Sequence, residues 1–241
     1  MTLAAKFGLC DRELISLVGG GGKSTLLFAL GSELAGAGKR VVLTTTTKMG
    51  RFQIARADRV CSSADPDCLQ SASAAGKPAL LLTGGDEHKV TGPPPQEIEK
   101  LFTRADVDYI VVEADGSHGM PLKAPAAHEP VIPDASTLVV ILMGIDAVGR
   151  PLEDVVHRLA EAQHLSGLSA DHPMSPEDCA EILLHPQGLL RSCPDGSRLA
   201  IAITKVTTAE DIAAATRIAG IIAVRHPEIA TVVLGAPEQP R

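Results

Sequence analysis

The chain has 241 residues, of which 45% are hydrophobic, and a formal net charge of −7. A chain of this length can bury a large core as one α/β domain, and with one Tyr, four Phe and no Trp that core must be built from Leu, Ile, Val and Ala. The acidic balance, the lack of any Lys or Arg block and the scarcity of rings for base stacking argue against a nucleic-acid partner.

The cysteines and the N-terminus indicate the compartment. The five cysteines, at positions 10, 61, 68, 179 and 193, form no C-x-x-C pair, which predicts free thiols in a reducing environment. The N-terminus lacks the apolar core of a signal peptide, and no apolar run approaches the roughly 18–20 residues that span a bilayer. We therefore expect a cytoplasmic protein without a membrane partner.

A glycine-rich loop between a strand and a helix is the most informative motif. After a short amphipathic N-terminal helix over residues 1–13, the apolar run Leu14–Val18 predicts a strand, and the spaced leucines beyond position 25 predict a helix. Between the strand and the helix lie Gly19, Gly20, Gly21, Gly22, Lys23, Ser24 and Thr25. Glycines adopt backbone angles that a Cβ forbids, so their N–H groups can surround a phosphate at the N-terminus of a helix.

The residues after the glycines complete a phosphate site. We expect Lys23 to contact the terminal phosphates of a nucleotide and the hydroxyl of Ser24 to ligate Mg²⁺. The spacing departs from the usual G-x-x-x-x-G-K-[ST], because Leu17 stands five positions before Gly22. This pattern is a shortened Walker A loop; the alternative is a flexible glycine turn before an ordinary helix.

A run of four threonines follows the next predicted strand, which begins at Arg40. In an open parallel sheet, ligands gather beyond the carboxyl ends of the strands, so we expect Thr46, Thr47 and Lys48 to lie beside the glycine loop. The two threonines would bind substrate, and Lys48 would supply a second catalytic cation. The alternative is that the threonines are only good strand formers.

Residues 51–91 carry little recognisable chemistry. We expect small polar segments with a short helix over 68–74, then the strand Pro78–Thr83. The loop that follows contains Asp86, Glu87 and His88, and metal ligation is one interpretation. Contiguous residues rarely converge on one ion, so a solvated loop is the better interpretation.

The strand Asp108–Glu113 ends in an acidic group, as a Walker B strand does. We expect Glu113 to hold Mg²⁺ together with Ser24. Asp115 lies two positions later and would hold a metal-bound water or activate a nucleophile; an Asp-Gly turn is the alternative.

A proline-rich loop, Gly119–Pro130, follows this strand and cannot be a regular helix. It carries Lys123, His128 and Glu129, which would form a substrate-binding wall, and a surface connection is the alternative.

The C-terminal half predicts two more strands, Thr137–Met143 and Leu199–Lys205, with a helical insertion at about 151–198 that includes helices over 153–165 and 176–184. Thr204 and Lys205 match the start of the guanine-recognition pattern [NT]-K-x-D, and we expect them to border the nucleotide. The fourth position is Thr207, which cannot accept two hydrogen bonds as a carboxylate does, so both ATP and GTP stay open. A helix over 208–223 and a strand over 231–236 complete a single P-loop NTPase-like domain, 1–241, with helices on both faces of a mostly parallel sheet.

With these motifs the chain resembles the YqeC-type proteins, accessory factors for selenium-dependent molybdenum hydroxylases. The resemblance spans nearly the whole chain and is strongest at residues 17–25, 44–48, 112–117 and 121–130. It implies a P-loop NTPase fold and a role in making or inserting a selenium-containing cofactor. It also implies functional roles for Lys48, Asp115, Lys123, His128 and Glu129, and places Asp146, His157 and Arg158 on the site side.

Three functions fit these features. The first is a Mg²⁺-dependent, ATP- or GTP-using maturation factor whose partners are a selenium or molybdenum cofactor precursor and a client hydroxylase. The second is a small-molecule kinase or nucleotide-dependent ligase with the same loop, and the third is a non-hydrolysing nucleotide sensor.

Overall fold

An eight-stranded sheet forms the centre of the computed structural model, which describes residues 1–62 and 65–235. In chain order its strands are β1 (Glu13–Gly19), β2 (Val41–Thr45), β3 (Arg59–Ser62), β4 (Ala79–Leu82), β5 (Tyr109–Glu113), β6 (Leu138–Gly144), β7 (Arg198–Val206) and β8 (Ala230–Gly235). All pairs are parallel, and the spatial order is β8-β7-β6-β1-β5-β2-β4-β3. The predicted parallel sheet is thus confirmed. The predicted last strand extended to Ala236, which lies outside the described residues.

Strand β1 occupies the middle of the sheet and sets the position of the site. Its neighbours are β5 on one side and β6 on the other, so Leu17 is level with Glu113 and Gly19 with Leu142. The carboxyl ends of β1, β2 and β5 therefore meet at one edge of the sheet. Ligands of open parallel sheets bind at such an edge, where the chain connections diverge.

Helices cover both faces of the sheet. They are α1 (Leu3–Lys6), α2 (Lys23–Gly36), α3 (Pro66–Ala74), α4 (Pro95–Phe102), α5 (Leu152–Val155), α6 (Leu159–Ser166), α7 (Pro176–Leu184) and α8 (Ala209–Arg225). Side chains alternate across a strand, so β1 contributes Leu14 and Val18 to one buried core, and Ile15 and Leu17 to the other. No helix of the described ranges is long and apolar enough to cross a bilayer.

The segment between β6 and β7 differs from the prediction of one helix over 153–165. Instead, α5 and α6 are separated by a two-residue strand, Val156–His157, which pairs with Leu122–Lys123. Arg158 then adopts a left-handed backbone, with φ of 75°. The pairing is a tertiary contact with the proline-rich loop, and helical periodicity in the sequence carries no sign of it.

A second, smaller sheet lies beyond β2. It is antiparallel and consists of Lys48–Gly50, Lys89–Thr91 and Gly84–Gly85, with the 3-10 helix Arg51–Arg56 after its first strand. The sequence prediction assigned no regular structure to these stretches. Two further 3-10 helices cover Ile145–Ala147 and Leu189–Ser192.

Two cysteines correct the prediction of five free thiols. Cys61 on β3 and Cys68 on α3 form a disulfide, whereas Cys10, Cys179 and Cys193 are free. The return of the chain from the edge strand into α3 brings the pair together, with their Cα atoms 5.7 Å apart. Their spacing along the chain alone does not reveal this contact.

Candidate functional site

The glycine loop is shaped by close contacts with its neighbours. A Cβ on Gly21 would lie 2.0 Å from the amide nitrogen of Gly144, and the residue has a φ of +64°. Two backbone carbonyls also contact the loop, because the amide of Gly20 donates to that of Leu142 on β6 at 2.9 Å and the amide of Gly21 donates to that of Met120 at 3.0 Å. Glycine is therefore required here by the approach of two other backbone segments.

Four consecutive amides at the start of α2 remain available to a ligand. Those of Gly22, Lys23, Ser24 and Thr25 donate to no protein acceptor within the described part of the chain. The amides of the earlier glycines do not share this property, because Gly19 also donates, at 3.0 Å, to a carboxylate oxygen of Asp115. The unpaired amides of the loop thus begin at Gly22, at the positive end of the helix dipole, where an anion would be stabilised.

Lys23 is buried and held by two oxygens. Its amino group donates to the carbonyl of Gly19 and lies 3.1 Å from Asp115 Oδ1. Both side chains are almost completely removed from solvent, so their attraction is poorly screened. Asp115 therefore holds the amino group of Lys23 beside the glycine loop.

The side chains of Ser24 and Glu113 contact each other beside the glycine loop. The hydroxyl of Ser24 donates to Glu113 Oε2 at 2.7 Å and accepts from the Gln53 side chain at 2.5 Å. Burial raises the pKa of Glu113, while Lys23 and the Ser24 hydrogen bond oppose that rise. A hydroxyl and a carboxylate that converge in this way are suitable ligands for Mg²⁺.

No complete protein cage for a metal exists among residues 1–62 and 65–235, because no group of three or more His, Cys, Asp or Glu side chains is placed to hold an ion. A metal bound at Ser24 and Glu113 would take its remaining ligands from nucleotide and water. Mg²⁺ commonly binds in that manner.

Charged side chains extend from the P-loop into the insertion between β6 and β7. Asp115 Oδ2 lies 3.1 Å from the amino group of Lys123, which lies 3.1 Å from Glu129 Oε2; Arg158 donates to that oxygen at 2.8 Å. Burial opposes ionisation of Glu129, but the hydrogen bond from Arg158 and the charge of Lys123 lower its pKa to about 2. The chain Lys23-Asp115-Lys123-Glu129-Arg158 therefore alternates in charge, and we call it the charge chain.

A histidine pair lies beside the charge chain. The rings of His118 and His157 are stacked with their centroids 4.7 Å apart. Burial, together with the charges of Lys123, His118 and Arg158, lowers the pKa of His157 to about 4. The ring of His157 is therefore neutral at pH 7.

In the threonine run, Thr45 and Thr46 form hydrogen bonds to backbone carbonyls at the edge of the site. Thr45 donates to the carbonyl of Glu113 at 2.8 Å, and Thr46 donates to that of Val131 at 2.6 Å. Thr47 reaches the cleft wall, as does Lys48, whose side chain is exposed.

Two cavities flank the loop, and both include Gly22 and Thr25. The first, of about 680 Å³, lies on the side of β2 and β5 and is lined by Ser24, Glu113 and Lys48 among others. The second, of about 470 Å³, lies on the side of β7 and β8 and includes Leu26, Thr204 and Lys205. We call them the acceptor cleft and the nucleoside cavity, after the roles that we propose for them below.

Thr204 and Lys205 line the nucleoside cavity and also make polar contacts with the protein. The hydroxyl of Thr204 donates to the carbonyls of Gly21 and, at 3.0 Å, Met143, which ties the glycine loop to the end of β7. Lys205 pairs with Asp146 at 2.7 Å.

The other sequence-predicted residues are divided between the site and its surroundings. Glu129 lines the acceptor cleft, whereas Lys123 is completely buried behind it and His128 is exposed outside it. Sequence reasoning missed Phe52, Gln53, Arg56, Lys89 and His118, which also line the cleft. Their stretches of sequence resemble ordinary polar loops, so only the fold reveals them.

Four features together define a P-loop nucleotide-binding protein. They are a strand, a glycine loop after it, a Lys-Ser pair at the start of the next helix, and an acidic residue at the end of the neighbouring strand. The model of the YqeC protein family matches residues 15–160, which contain the whole charge chain. The chain is 37% identical over 201 residues to the uncharacterized protein YqeC of Escherichia coli K12, covering 82% of this chain and 78% of that one. It therefore belongs to the YqeC family.

Among solved structures, one match is the crystal structure of HypB from Helicobacter pylori in complex with nickel. The identity is 12% and the TM-score 0.44, over 95% of this chain and 81% of that one. The fold assignment rests on the strand order and the loop described above.

Proposed function

We propose that this protein binds ATP or GTP with Mg²⁺ and promotes a reaction at the terminal phosphate. One observation carries the proposal: the unused amides of Gly22, Lys23, Ser24 and Thr25 point from the start of α2 beside a buried lysine and a Ser-Glu pair. Amides and a lysine suit phosphate oxygens, and the Ser-Glu pair suits the metal that accompanies them. Bound Mg²⁺ would neutralise charge that develops on the phosphoryl group.

The nucleoside is proposed to occupy the cavity beside β7 and β8. This cavity starts at Gly22 and Thr25, and Leu26, Ala29 and Leu234 provide apolar surface for a base. Thr207 offers no carboxylate to a guanine, and Asp211 is engaged with the amides of Thr207 and Thr208. Competition between ATP and GTP is needed to identify the base.

Within this proposal, transfer of the terminal phosphoryl group to a small molecule, with the nucleoside diphosphate as leaving group, is a second candidate beside hydrolysis. The size of the acceptor cleft favours it, because about 680 Å³ extends from the phosphate end of the loop to Lys48 and Lys89. A water molecule alone does not require such a space. In this role the protein would be a kinase or a nucleotide-dependent ligase.

We further propose the cellular role that the family resemblance implies. The acceptor would be a selenium or molybdenum cofactor precursor, and the partner a client hydroxylase that receives the matured cofactor. Family membership supports this role, and the proposed nucleotide chemistry is independent of it.

The test is incubation of the purified protein with ATP or GTP, with Mg²⁺ and with or without candidate acceptors, followed by mass spectrometry of the products. Formation of the nucleoside diphosphate and inorganic phosphate without acceptor supports hydrolysis, and an acceptor mass increased by one phosphoryl group, with release of the nucleoside diphosphate, supports transfer. Tight binding without any product would favour a nucleotide sensor. The absence of binding in calorimetry would contradict the whole proposal.

A further inference from the structure

The acceptor cleft has an aromatic side chain that the phosphate chemistry does not use. Phe52 is 82% exposed and lines the cleft from the 3-10 helix Arg51–Arg56. A Cβ on Gly50 would lie 2.5 Å from the Phe52 ring, so the ring lies directly against the glycine backbone. Glycine at position 50 thus leaves room for a ring that is packed on one side and open on the other.

Two lysines flank this ring because of strand register. In the small antiparallel sheet, Gly50 is opposite Lys89, and Met49 is opposite Val90. Met49 and Val90 are buried, so Lys48, Gly50 and Lys89 lie on the other face, which is exposed to the cleft. The register therefore places two cations next to the glycine that supports Phe52: Lys48, two residues earlier on the same strand, and Lys89, directly across on the neighbouring strand.

No described carboxylate forms a salt bridge with these cations. Lys48, Lys89 and Arg56 form no salt bridge with any described residue, although the charge of Lys48 contributes to lowering the pKa of nearby Asp86. The two carboxylates that line the cleft are engaged elsewhere, Glu113 with Ser24 and Glu129 with the charge chain. In a protein with a net charge of −7, this cleft is locally positive. A positive cleft concentrates anions.

We propose that Phe52, Lys48 and Lys89 form a binding subsite for a planar ring compound that carries a phosphate or carboxylate. The ring stacks on Phe52, and the anionic group lies between the lysines. A planar π-system matches the open face of Phe52, because planar rings stack on aromatic side chains, as bases do in nucleic-acid complexes. The identity of this compound as the acceptor of the transferred group rests on the proposed function; its binding does not.

The test uses flavin mononucleotide as the probe, because it combines a planar ring with a phosphate, and follows its fluorescence anisotropy on addition of the full-length protein. Riboflavin supplies the ring without the phosphate, and ribose 5-phosphate the phosphate without the ring. We expect flavin mononucleotide to bind at least tenfold more tightly than either. Equal affinity for riboflavin, or no binding, would overturn the proposal.

Three variants locate the probe. Lys48→Ala combined with Lys89→Ala should weaken flavin mononucleotide binding at least tenfold and leave riboflavin unaffected. Phe52→Ala should weaken both ligands about fivefold or more. Lys100→Ala, an exposed lysine on α4 outside this cleft, is the matched control and should bind as the unmodified protein does. Wild-type affinity in the first two variants would contradict the subsite.

Nucleotide competition separates this proposal from the P-loop assignment. Saturating ATP with Mg²⁺ should not displace the probe, and Lys23→Ala should bind the probe normally while losing nucleotide. Displacement by ATP would assign Phe52 and its lysines to the nucleotide site and overturn the separate subsite. Probe binding without any nucleotide binding would support the subsite and reject the proposed function.

Discussion

Asp115 Oδ2 lies 3.1 Å from the amino group of Lys123, and both side chains are completely buried. The other oxygen of the same carboxylate lies 3.1 Å from Lys23. If Lys23 turns towards a phosphate, Asp115 therefore keeps a cation partner, and no unpaired carboxylate is left in the interior. An unpaired buried charge would be costly, so Lys123 makes such a movement of the P-loop lysine feasible.

The first prediction concerns the P-loop lysine. Lys23→Ala should reduce nucleotide affinity about 10- to 100-fold, because a hydrogen bond to a charged group contributes about 1.5–3 kcal/mol. The fold should persist, since Asp115 still pairs with Lys123. Isothermal titration calorimetry with ATP and GTP measures the effect. Lys39→Ala, in the loop after α2 and distant in sequence from the glycine loop, is the control. Undiminished affinity of Lys23→Ala would contradict the phosphate-loop assignment.

The second prediction concerns the buried pair. Lys123→Met should destabilise the protein by about 3–5 kcal/mol, because it removes one partner of a buried ion pair. Adding Asp115→Asn should recover part of that loss, since the uncompensated carboxylate is then gone. Urea denaturation gives both values. Lys77→Met removes an exposed pair with Asp58 and should cost at most about 1 kcal/mol. If the loss in the free energy of unfolding of the double variant equals the sum of the losses of the two single variants, Lys123 and Asp115 do not stabilise each other.

The third prediction concerns the acidic end of β5. Glu113→Gln should raise the Mg²⁺ concentration that gives the half-maximal effect on nucleotide binding about tenfold, because one anionic metal ligand becomes neutral. It should change the affinity for metal-free nucleotide by less than about twofold. Titration of Mg²⁺ against a fluorescent nucleotide measures both quantities. The exposed Glu97 on α4 provides the control variant, Glu97→Gln. An unchanged Mg²⁺ titration in Glu113→Gln would show that Glu113 is not a metal ligand.

The fourth prediction concerns pH. The pKa of His157 is lowered to about 4 from an ordinary 6.5, first by burial and then by the neighbouring positive charges. The unfolded chain therefore binds more protons than the folded one between these values, and the stabilisation present above pH 6.5 is lost as the pH falls towards 4. His157→Gln should flatten the melting temperature across this window, whereas His88→Gln, in an exposed loop, should not.

The pH window distinguishes His157 from Glu129. The pKa of Glu129 is lowered from 4.5 to about 2, so its stabilising contribution is present above pH 4.5 and is lost only below it. A profile of His157→Gln that still declines between pH 6.5 and 4.5 as steeply as the unmodified protein would show that another group controls stability there.

The phosphate end of the site was predictable because its signal is local. Lys23 and Ser24 follow the glycines directly, and an acidic strand end such as Glu113 is recognised from its own strand. The sequence also predicted that these strands share an edge, and the structure confirms this by pairing β5 directly with β1. The roles of individual glycines were less predictable, since the amide of Gly21 is used by a carbonyl distant in the chain.

The sequence by itself determined the fold class, the P-loop and the acidic strand end, because each depends on residues within one element and its turn. Tertiary structure alone decided that Lys123 is buried against Asp115, that Arg158 completes the charge chain, and that Phe52 shares one cleft with two lysines. The physical reason is that these arrangements depend on pairing between distant segments, above all Val156–His157 with Leu122–Lys123 and Lys48–Gly50 with Lys89–Thr91. Such pairing depends on the packing of the whole chain, which no local pattern in the sequence specifies.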